Sequence, residues 1–338
     1  MTFKIILAHF LFTLVVVSAS GCSELLVSGP DENQNLADFE AVWSITNSEY
    51  PFFQFKGIDW DAVHSSYRPL AEQAKGDEIV QVLFDMLSEL KDAHVRLSTK
   101  GGFDTFIIPY DSPRSRRDRL AFNPSILRNY FAGELDLTAS RNIEYGIAGG
   151  NIGYIRLSTF ESGNWIFEFD EVLARLAATR ALIVDVRNND GGSFQSTDFV
   201  IGRFLTAPIS SLPTYSKGQL QPSYLIRPRG PFAYSDSIVV LANGGSASAS
   251  DGFVEIMKQI PSVTVVGDTT AGAGGDTQRF SLPSGRQIRL SVKDIRRYDG
   301  NPIEWNGVAP DVRVRQIEVD TQQGRDRQLE YALQLLRQ

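Results

Sequence analysis

Hydrophobic residues along the chain change their spacing, and the change divides the chain into two parts. Residues 36–97 are predicted to be mainly helical, with apolar residues at helical spacing from Ile79 to Leu90. Residues 91–94 are predicted to end that helix, and residues 95–97 to begin a strand. Residues 99–148 contain a glycine pair, prolines and a run of arginines, which predict an irregular or β connecting region. The arginines are expected in a solvated loop, and the alternative is a site for a substrate carboxylate.

After residue 150 the pattern alternates between strands and helices. Strands are predicted at residues 152–157, 181–186, 237–242 and 263–266, helices at 165–178, 197–205 and 251–260, a hairpin at 279–292, and a closing helix at 325–336. The segment 181–186 is almost continuously apolar, which is typical of a strand buried on both faces. Alternating strands and helices with short loops predict an α/β core behind an N-terminal helical domain.

The N-terminus has the pattern of an export signal. One charge, Lys4, precedes an apolar run at residues 5–17. Such a run is shorter than the roughly 20 residues that span a bilayer, and it suits a signal peptide. The segment Ser-Ala-Ser-Gly-Cys ending at Cys22 resembles the lipobox of bacterial lipoproteins, in which the cysteine is lipidated. The alternative is ordinary secretion, which would leave Cys22 as a free thiol.

These patterns predict the organisation of the whole chain. The expected segments are a lipoprotein signal peptide at 1–21, a tether at 22–35, a helical domain at 36–98, the connecting region at 99–148, a core at 149–318 and a C-terminal helix at 319–338. The expected location is a bacterial cell envelope, with the protein anchored to a membrane by a lipid on Cys22.

Composition narrows the chemistry that is open to the protein. The formal net charge of −7 gives no electrostatic reason to expect nucleic-acid binding. A single cysteine excludes an intrachain disulfide and a multi-cysteine metal site, and three histidines leave little for a histidine-rich one. We expect no metal or cofactor, and chemistry that rests on hydroxyls, carboxylates and backbone dipoles.

Two loops stand out because each leaves a buried strand and enters a helix. Residues 185–192 read Asp-Val-Arg-Asn-Asn-Asp-Gly-Gly, and residues 243–251 read Asn-Gly-Gly-Ser-Ala-Ser-Ala-Ser-Asp. Singly, such loops are common, because glycine turns and serine caps satisfy free backbone amides. Together, at the carboxyl ends of neighbouring strands, they favour a functional site.

These two loops resemble those of the tail-specific, or C-terminal processing, serine proteases. Further matches are Gly-Tyr-Ile-Arg at 153–156, Val-Val-Gly-Asp-Thr-Thr-Ala-Gly at 265–272 and Asn-Gly-Val-Ala-Pro-Asp at 306–311. The similarity spans about residues 152–314. It implies a ββα core related to the Clp protease and crotonase folds, with Ser248 as the nucleophile and polypeptides as substrates.

The residue that would activate Ser248 differs from the one that the processing proteases use. They use a lysine at the position that aligns with Ala273. Lys258 lies ten residues after Ser248 in the same predicted helix, about 15 Å along its axis, and cannot serve. Lys293 matches no motif of the family, so a serine–lysine pair is not expected.

The branch of the family that contains the tricorn core protease uses a histidine and lacks a PDZ domain. The segment Leu-Lys-Asp-Ala-His ending at His94 is similar to the histidine motif of that branch. Imidazole titrates near neutral pH and can accept the proton of Ser248. The alternative is that His94 is a structural polar residue that contacts free carbonyls at the end of the helix.

The same resemblance suggests supporting residues. Glu304 matches a glutamate that orients the base through a second serine, and that serine position here is Ala93. The relay is therefore broken or rerouted, and Asp92, another hydroxyl or a water could orient His94 instead. Glu304 could equally be a surface carboxylate. The resemblance places the oxyanion hole at the backbone N–H groups of Gly192 and Ala249.

Three functions are consistent with these features to different degrees. The first is an exported serine peptidase that forms an acyl-enzyme on Ser248. The second is a catalytically degenerate lipoprotein that binds peptides or apolar ligands. The resemblance suggests this because the family includes the interphotoreceptor retinoid-binding protein, in which a related fold binds apolar ligands. A crotonase-like acyl-CoA enzyme is disfavoured, because export separates the protein from cytosolic coenzyme A.

Overall fold

The computed structural model describes residues 32–99, 105–107, 112–131 and 135–338. The predicted signal peptide and Cys22 lie outside these residues. The helices are α1 Glu32–Glu49, α2 Phe53–Lys56, α3 Trp60–Gln73, α4 Glu78–Ser88, α5 Pro113–Ala121, α6 Trp165–Arg175, α7 Phe194–Ile201, α8 Ala249–Met257, α9 Glu318–Gln322 and α10 Arg327–Arg337, with a 3₁₀ helix at Pro124–Tyr130. None of the described helices is both long enough and apolar enough to cross a membrane.

The strands form two main sheets. They are β1 Arg96–Ser98, β2 Thr105–Ile107, β3 Asp136–Leu137, β4 Ile143–Ala148, β5 Ile152–Leu157, β6 Ala181–Asp185, β7 Ile209–Ser210, β8 Thr214–Ser216, β9 Gln219–Leu220, β10 Leu225–Ile226, β11 Ser237–Ala242, β12 Val263–Gly267, β13 Gly275–Ser281, β14 Gln287–Ile295 and β15 Val312–Arg313. The two-residue strands β7 and β10 pair with each other.

The central sheet has seven strands in the order β15-β12-β11-β6-β5-β4-β3. The strands from β15 to β5 are parallel, and β4 and β3 join in antiparallel pairs. Buried side chains of β6 and β11 alternate between a core shared with α6, α7 and α8 and a second core shared with α10. A sheet covered on both faces confirms the predicted α/β class.

The second sheet is antiparallel and joins the N-terminal part of the chain to the hairpin after the central sheet. Its strand order is β2-β1-β14-β8-β9, and β13 pairs with the other edge of β14. The predicted hairpin is present as β13 and β14, which are longer than expected. Because β1 follows the N-terminal helices, this sheet connects them directly to the hairpin.

The N-terminal helices pack on that hairpin. Leu282, Ile288 and Leu290 of the hairpin region complete the core formed by α1, α3 and α4. A buried ionic contact accompanies them: Arg286 donates to Asp38 at 3.0 Å, and Asp38 also accepts from the Ser284 backbone at 2.9 Å. The helices therefore have no separate hydrophobic core of their own.

Several boundaries differ from those that the sequence predicts. Helix α1 begins at Glu32, inside the predicted tether, and α7 begins at Phe194 rather than at residue 197. Ser193 explains the latter, because its side chain caps the Gln195 backbone N–H. The largest correction concerns the arginine run: it forms helix α5, not a solvated loop, with Ser112 as its N-cap and Pro113 in its first turn.

Candidate active site

Ser248 stands at the junction of β11 and α8 in an unusual backbone conformation. Its φ is 57° and its ψ is −118°, a region that L-residues other than glycine rarely occupy. Such strain persists where the surrounding structure holds it in place. The loop before it is anchored by Ser246, whose hydroxyl donates to the Val186 carbonyl at 2.7 Å.

A buried carboxylate beneath this junction holds two loops together. Asp251 accepts hydrogen bonds from the backbone N–H groups of Gly272 at 2.9 Å and Ala273 at 3.1 Å, and from the Thr270 hydroxyl. Burial raises the pKa of Asp251 to about 6, although these bonds and one from the Ser248 backbone N–H lower it. Asp251 thus fixes the segment 270–273 against the start of α8.

The loop at 185–192 lies directly against Ser248. Asn189 shapes it, since its side chain accepts from the Gly191 N–H at 2.9 Å and donates to the Leu157 carbonyl at 3.0 Å. Gly191 has a φ of 91°, and a Cβ there would lie 2.7 Å from the Ala249 nitrogen. Gly192 has a φ of 142°, and a Cβ there would lie 2.2 Å from the Phe160 carbonyl carbon. Only glycine fits at either position.

His94 reaches this junction from the other part of the chain. It lies in the turn between α4 and β1, where its backbone N–H donates to Asp92 Oδ1 at 2.8 Å. Its Nε2 lies 3.0 Å from Ser248 Oγ, a hydrogen-bond distance across 154 positions of sequence. The structure therefore brings together the two residues that the sequence singled out.

The environment of His94 favours the neutral imidazole. Burial is the main cause that lowers the pKa of His94 below its ordinary value of 6.5, and the positive charges of Arg289 and Arg96 lower it further. The charge of Asp92 opposes them, with Asp92 Oδ1 lying 3.7 Å from His94 Nδ1. Within the described residues, Nδ1 has no hydrogen-bond partner.

Asp92 is the acid beside the imidazole. It is fully buried, which opposes its ionisation. The charges of Lys56 and His94, with the hydrogen bond from the His94 backbone, outweigh burial and lower its pKa. Among the alternatives to the missing serine at Ala93, the structure places Asp92 and Ser291 on this side of the ring.

Lys56 is a component that the sequence gave no reason to select. Its side chain is fully buried, and its Nζ lies 2.6 Å from Glu304 Oε1. The same ammonium donates to Tyr50 Oη at 2.9 Å and to the carbonyls of Leu90 at 3.1 Å and Lys91 at 3.0 Å. It ties the end of α2 to the segment that carries His94.

Glu304 is buried, but the structure does not place it against His94. Its Oε1 pairs with Lys56, and its Oε2 accepts from the Gly274 N–H at 2.9 Å. Burial and the charge of Asp92 raise its pKa to about 8, against the effect of Lys56. The surface alternative is wrong, and a role in orienting the base stays a prediction with no direct contact behind it.

Helix α5 packs against two segments beside Ser248, the loop at 243–251 and the segment 268–271. Arg114 donates to the Ala271 carbonyl at 3.0 Å, Arg117 pairs with Asp268 at 2.8 Å, and Asp118 accepts from the Gly244 N–H at 2.8 Å. A serine followed by proline just before this run was the sequence signal for a helix start. Arg114 and Arg117 therefore connect helix α5 to the segment 268–271 beside the site, instead of lying only in solvent.

A cavity of about 420 Å³ opens beside Ser248 and His94. Apolar side chains line part of it, namely Phe194, Leu212, Ile256 and Ile295. Polar groups line the rest, and those of β13 and β14 include Arg289 and an ion pair between Lys293 and Asp276 at 2.6 Å. Such a cavity can hold a side chain next to a bond attacked by Ser248.

Two other expectations concern lysines and metals. Lys258 donates to the Ala309 carbonyl at 2.7 Å and pairs with Asp311, away from Ser248. Lys293 lines the cavity, but Asp276 engages its ammonium. In the part of the chain that the structure describes, no group of three His, Cys, Asp or Glu side chains could hold a metal ion.

Comparison with known families gives two matches. The model of peptidase family S41 matches residues 151–314, and that of the tricorn protease C1 domain matches residues 31–90. The first covers β5 to β15 with Ser248, and the second covers the N-terminal helices up to the residues before His94.

Individual proteins agree with these matches. The carboxy-terminal processing protease CtpB of Bacillus subtilis is 29% identical over 175 residues, which cover 51% of this chain and 36% of that protein. A putative tricorn protease homolog 2 of Streptomyces coelicolor is 26% identical over 368 residues, covering 83% of this chain and 30% of that protein. The chain thus spans well under half the length of these relatives.

A solved structure matches over nearly its whole length. It is a putative peptidase from Parabacteroides merdae, with a TM-score of 0.77 and 30% sequence identity. The match covers 90% of this chain and 96% of that one.

Proposed function

We propose that this chain, which belongs to peptidase family S41 and is by family a serine-type peptidase, hydrolyses peptide bonds of polypeptides with Ser248 as nucleophile and His94 as general base. The observation that supports this most strongly is the 3.0 Å separation between His94 Nε2 and Ser248 Oγ. It is a distance at which a proton passes directly from hydroxyl to imidazole.

The proposed reaction has two halves. Ser248 Oγ attacks the scissile carbonyl while His94 Nε2 takes its proton, and His94 then protonates the leaving amine as the C–N bond breaks. Water next attacks the acyl-enzyme with His94 again as base, and the proton returns to Ser248 Oγ as the new carboxyl is released. The lowered pKa of His94 keeps the base unprotonated at neutral pH.

The developing oxyanion needs preorganised donors. We assign this role to the backbone N–H groups of Gly192 and Ala249. Ala249 is the first residue of α8, so the positive end of the helix dipole adds to its N–H. The contact between Gly191 and the Ala249 nitrogen brings the two loops together at this point.

We assign the support of His94 to Asp92 rather than to Glu304. Asp92 lies on the Nδ1 side of the ring and favours the imidazolium that forms during attack. Its charge is stabilised in turn by Lys56. This arrangement replaces a relay through the position of Ala93.

Labelling with a fluorophosphonate tests the nucleophile. Native protein should be labelled, and both heat-denatured protein and Ser248→Ala should not be. Ser250→Ala is a matched control, because Ser250 Oγ is buried two residues away without a hydrogen-bond partner among the described residues. It should retain labelling and peptide cleavage. Folded native protein that is neither labelled nor active would favour the ligand-binding alternative.

The location of the protein is a separate proposal that rests on the sequence of residues 1–22. We propose that it is an envelope lipoprotein anchored through Cys22. Metabolic labelling with a fatty-acid analogue should mark the wild-type chain and spare Cys22→Ser. Equal labelling of both, or a wild-type protein recovered unlabelled in the soluble fraction, would contradict it.

A further inference from the structure

Three arginines lie in a row across the second sheet. In the strand register, Arg96 of β1 is opposite Arg289 of β14, and Arg289 is opposite Arg279 of β13. Residues that face each other on neighbouring strands project from the same side of a sheet. We call these three residues the arginine row.

The arginine row lies on the side of the sheet that faces the site. Side chains alternate along β14, and Arg289 shares its face with Ser291, Lys293 and Ile295. Arg289, Lys293 and Ile295 line the cavity beside Ser248. Arg289, the middle residue of the row, thus lies at the cavity, and Arg279 on the neighbouring strand is exposed.

The arginine row has no ion-pair partner within the described part of the chain, although the charge of Asp92 acts on Arg96 from a distance. No ion pair between described residues involves Arg96, Arg279 or Arg289. Arg96 donates to the Val95 carbonyl at 2.8 Å and Arg289 to the Thr277 hydroxyl at 2.8 Å, and neither acceptor carries a charge. Asp276, the acid nearest to the row in the cavity, is engaged by Lys293.

Such an arrangement is unfavourable for folding alone. Like charges directly opposite each other in a sheet repel and destabilise it. The chain has a net charge of −7, yet among the described residues no carboxylate forms an ion pair with these three arginines. Guanidinium groups bind carboxylates with paired, charge-assisted hydrogen bonds, so an anionic ligand would relieve the repulsion.

We propose that the arginine row binds a carboxylate of the polypeptide substrate, next to the scissile bond, and gives the site a preference for acidic segments. The inference rests on the proposed function, because it assigns a substrate class to the same site. The carboxylate has two possible sources, an acidic side chain or the free C-terminus of the substrate.

The first test measures binding without turnover. In the Ser248→Ala background, four fluorescent peptides of one sequence are compared: Glu or Gln at the residues that flank the bond, each with a free or an amidated C-terminus. We expect the Glu peptides to bind about tenfold more tightly, which corresponds to about 1.4 kcal/mol. If only the free C-terminus matters, the source of the carboxylate is the chain end. Equal binding of all four peptides overturns the proposal.

Variants then assign the effect to the row. Arg279→Gln and Arg289→Gln should each reduce the Glu-to-Gln ratio towards one, and rising salt should do the same in the parent protein. Arg175→Gln, an equal change of charge on the exposed end of α6, should keep the full ratio. A preference that survives both row variants would place the anion site elsewhere.

The second test uses cleavage and separates the two proposals. The same peptides, internally quenched, are given to the enzyme with Ser248 intact, and kcat/KM is measured for each. Cleavage that depends on Ser248 but shows no preference for Glu or for the free C-terminus overturns the arginine row and leaves the peptidase standing. Absence of any Ser248-dependent cleavage across the set, beside a Glu preference in binding, overturns the peptidase function instead.

Discussion

The buried carboxyl of Glu304 should make the stability of the protein fall as the pH rises. Its pKa is raised from 4.5 to about 8, chiefly by burial and by the charge of Asp92. The folded state therefore holds a proton that the unfolded state releases. Stability from this group is present below pH 4.5 and is lost as the pH rises through the interval to 8.

The size of the effect follows from that interval. At 1.36 kcal/mol per pH unit, the range from 4.5 to about 8 amounts to about 5 kcal/mol as an upper value. Glu304→Gln removes the titration and keeps an oxygen that can accept from the Gly274 N–H or from Lys56. Asp92 remains in the cluster as a counter-charge for that lysine.

The assay is urea denaturation of wild type and Glu304→Gln at pH 5, 6, 7 and 8. The free energy of unfolding of the variant, minus that of wild type, should rise steadily with pH by a few kcal/mol. Glu171→Gln, an exposed change of the same charge on α6, should give a difference that does not vary with pH. A constant difference for Glu304→Gln would refute the reasoning and mean that Lys56 keeps this carboxylate ionised.

Three further predictions concern the base, the nucleophile loop and the contact between the two parts of the chain. His94→Ala should lower kcat by at least about 10⁴-fold, and wild-type kcat/KM should rise with pH to a midpoint below 6.5, measured with a fluorogenic peptide; undiminished turnover would place the base elsewhere. Asp251→Asn should cost about 3 kcal/mol in thermal denaturation and slow fluorophosphonate labelling, because its charge-assisted hydrogen bonds to the segment 270–273 weaken; an unchanged melting temperature would contradict this. Arg286→Ala should cost about 3–5 kcal/mol, because it leaves Asp38 buried without a counter-charge. Limited proteolysis of Arg286→Ala should then cut the N-terminal helices first, and the control Arg175→Ala should be cut like wild type. A wild-type cleavage pattern in Arg286→Ala would contradict the prediction.

Much of the fold was predictable from the local pattern of hydrophobic residues. The buried strands β6 and β11 were predictable from continuous apolar runs, and β11 was predicted to the residue. Helix α7 was placed three residues late, because the cap at Ser193 is a side-chain contact rather than a hydrophobic signal. Helix α5 was missed since its composition is almost wholly polar, and its stability comes from contacts with distant loops.

Residues of the candidate site were predictable from the sequence only where they lie in recognisable motifs. Ser248 and His94 were selected from two short segments, and their contact could not be derived from either segment alone. Lys56 lies in a four-residue helix with no motif, and its role appears only when α2 packs against Glu304. The register that aligns Arg96 with Arg289 likewise depends on a pairing between distant strands.

The separation of 154 positions between His94 and Ser248 has a consequence for the life of the chain before it is folded. His94 follows the N-terminal helices, and Ser248 lies between β11 of the central sheet and α8, so neither segment alone holds both. Because residues are added from the N-terminus onward, a chain that is still being synthesised carries His94, the proposed base, before Ser248, the proposed nucleophile, exists. The proposed hydrolysis therefore begins only after the N-terminal helices have packed on the hairpin, so a nascent or partly unfolded copy is inactive.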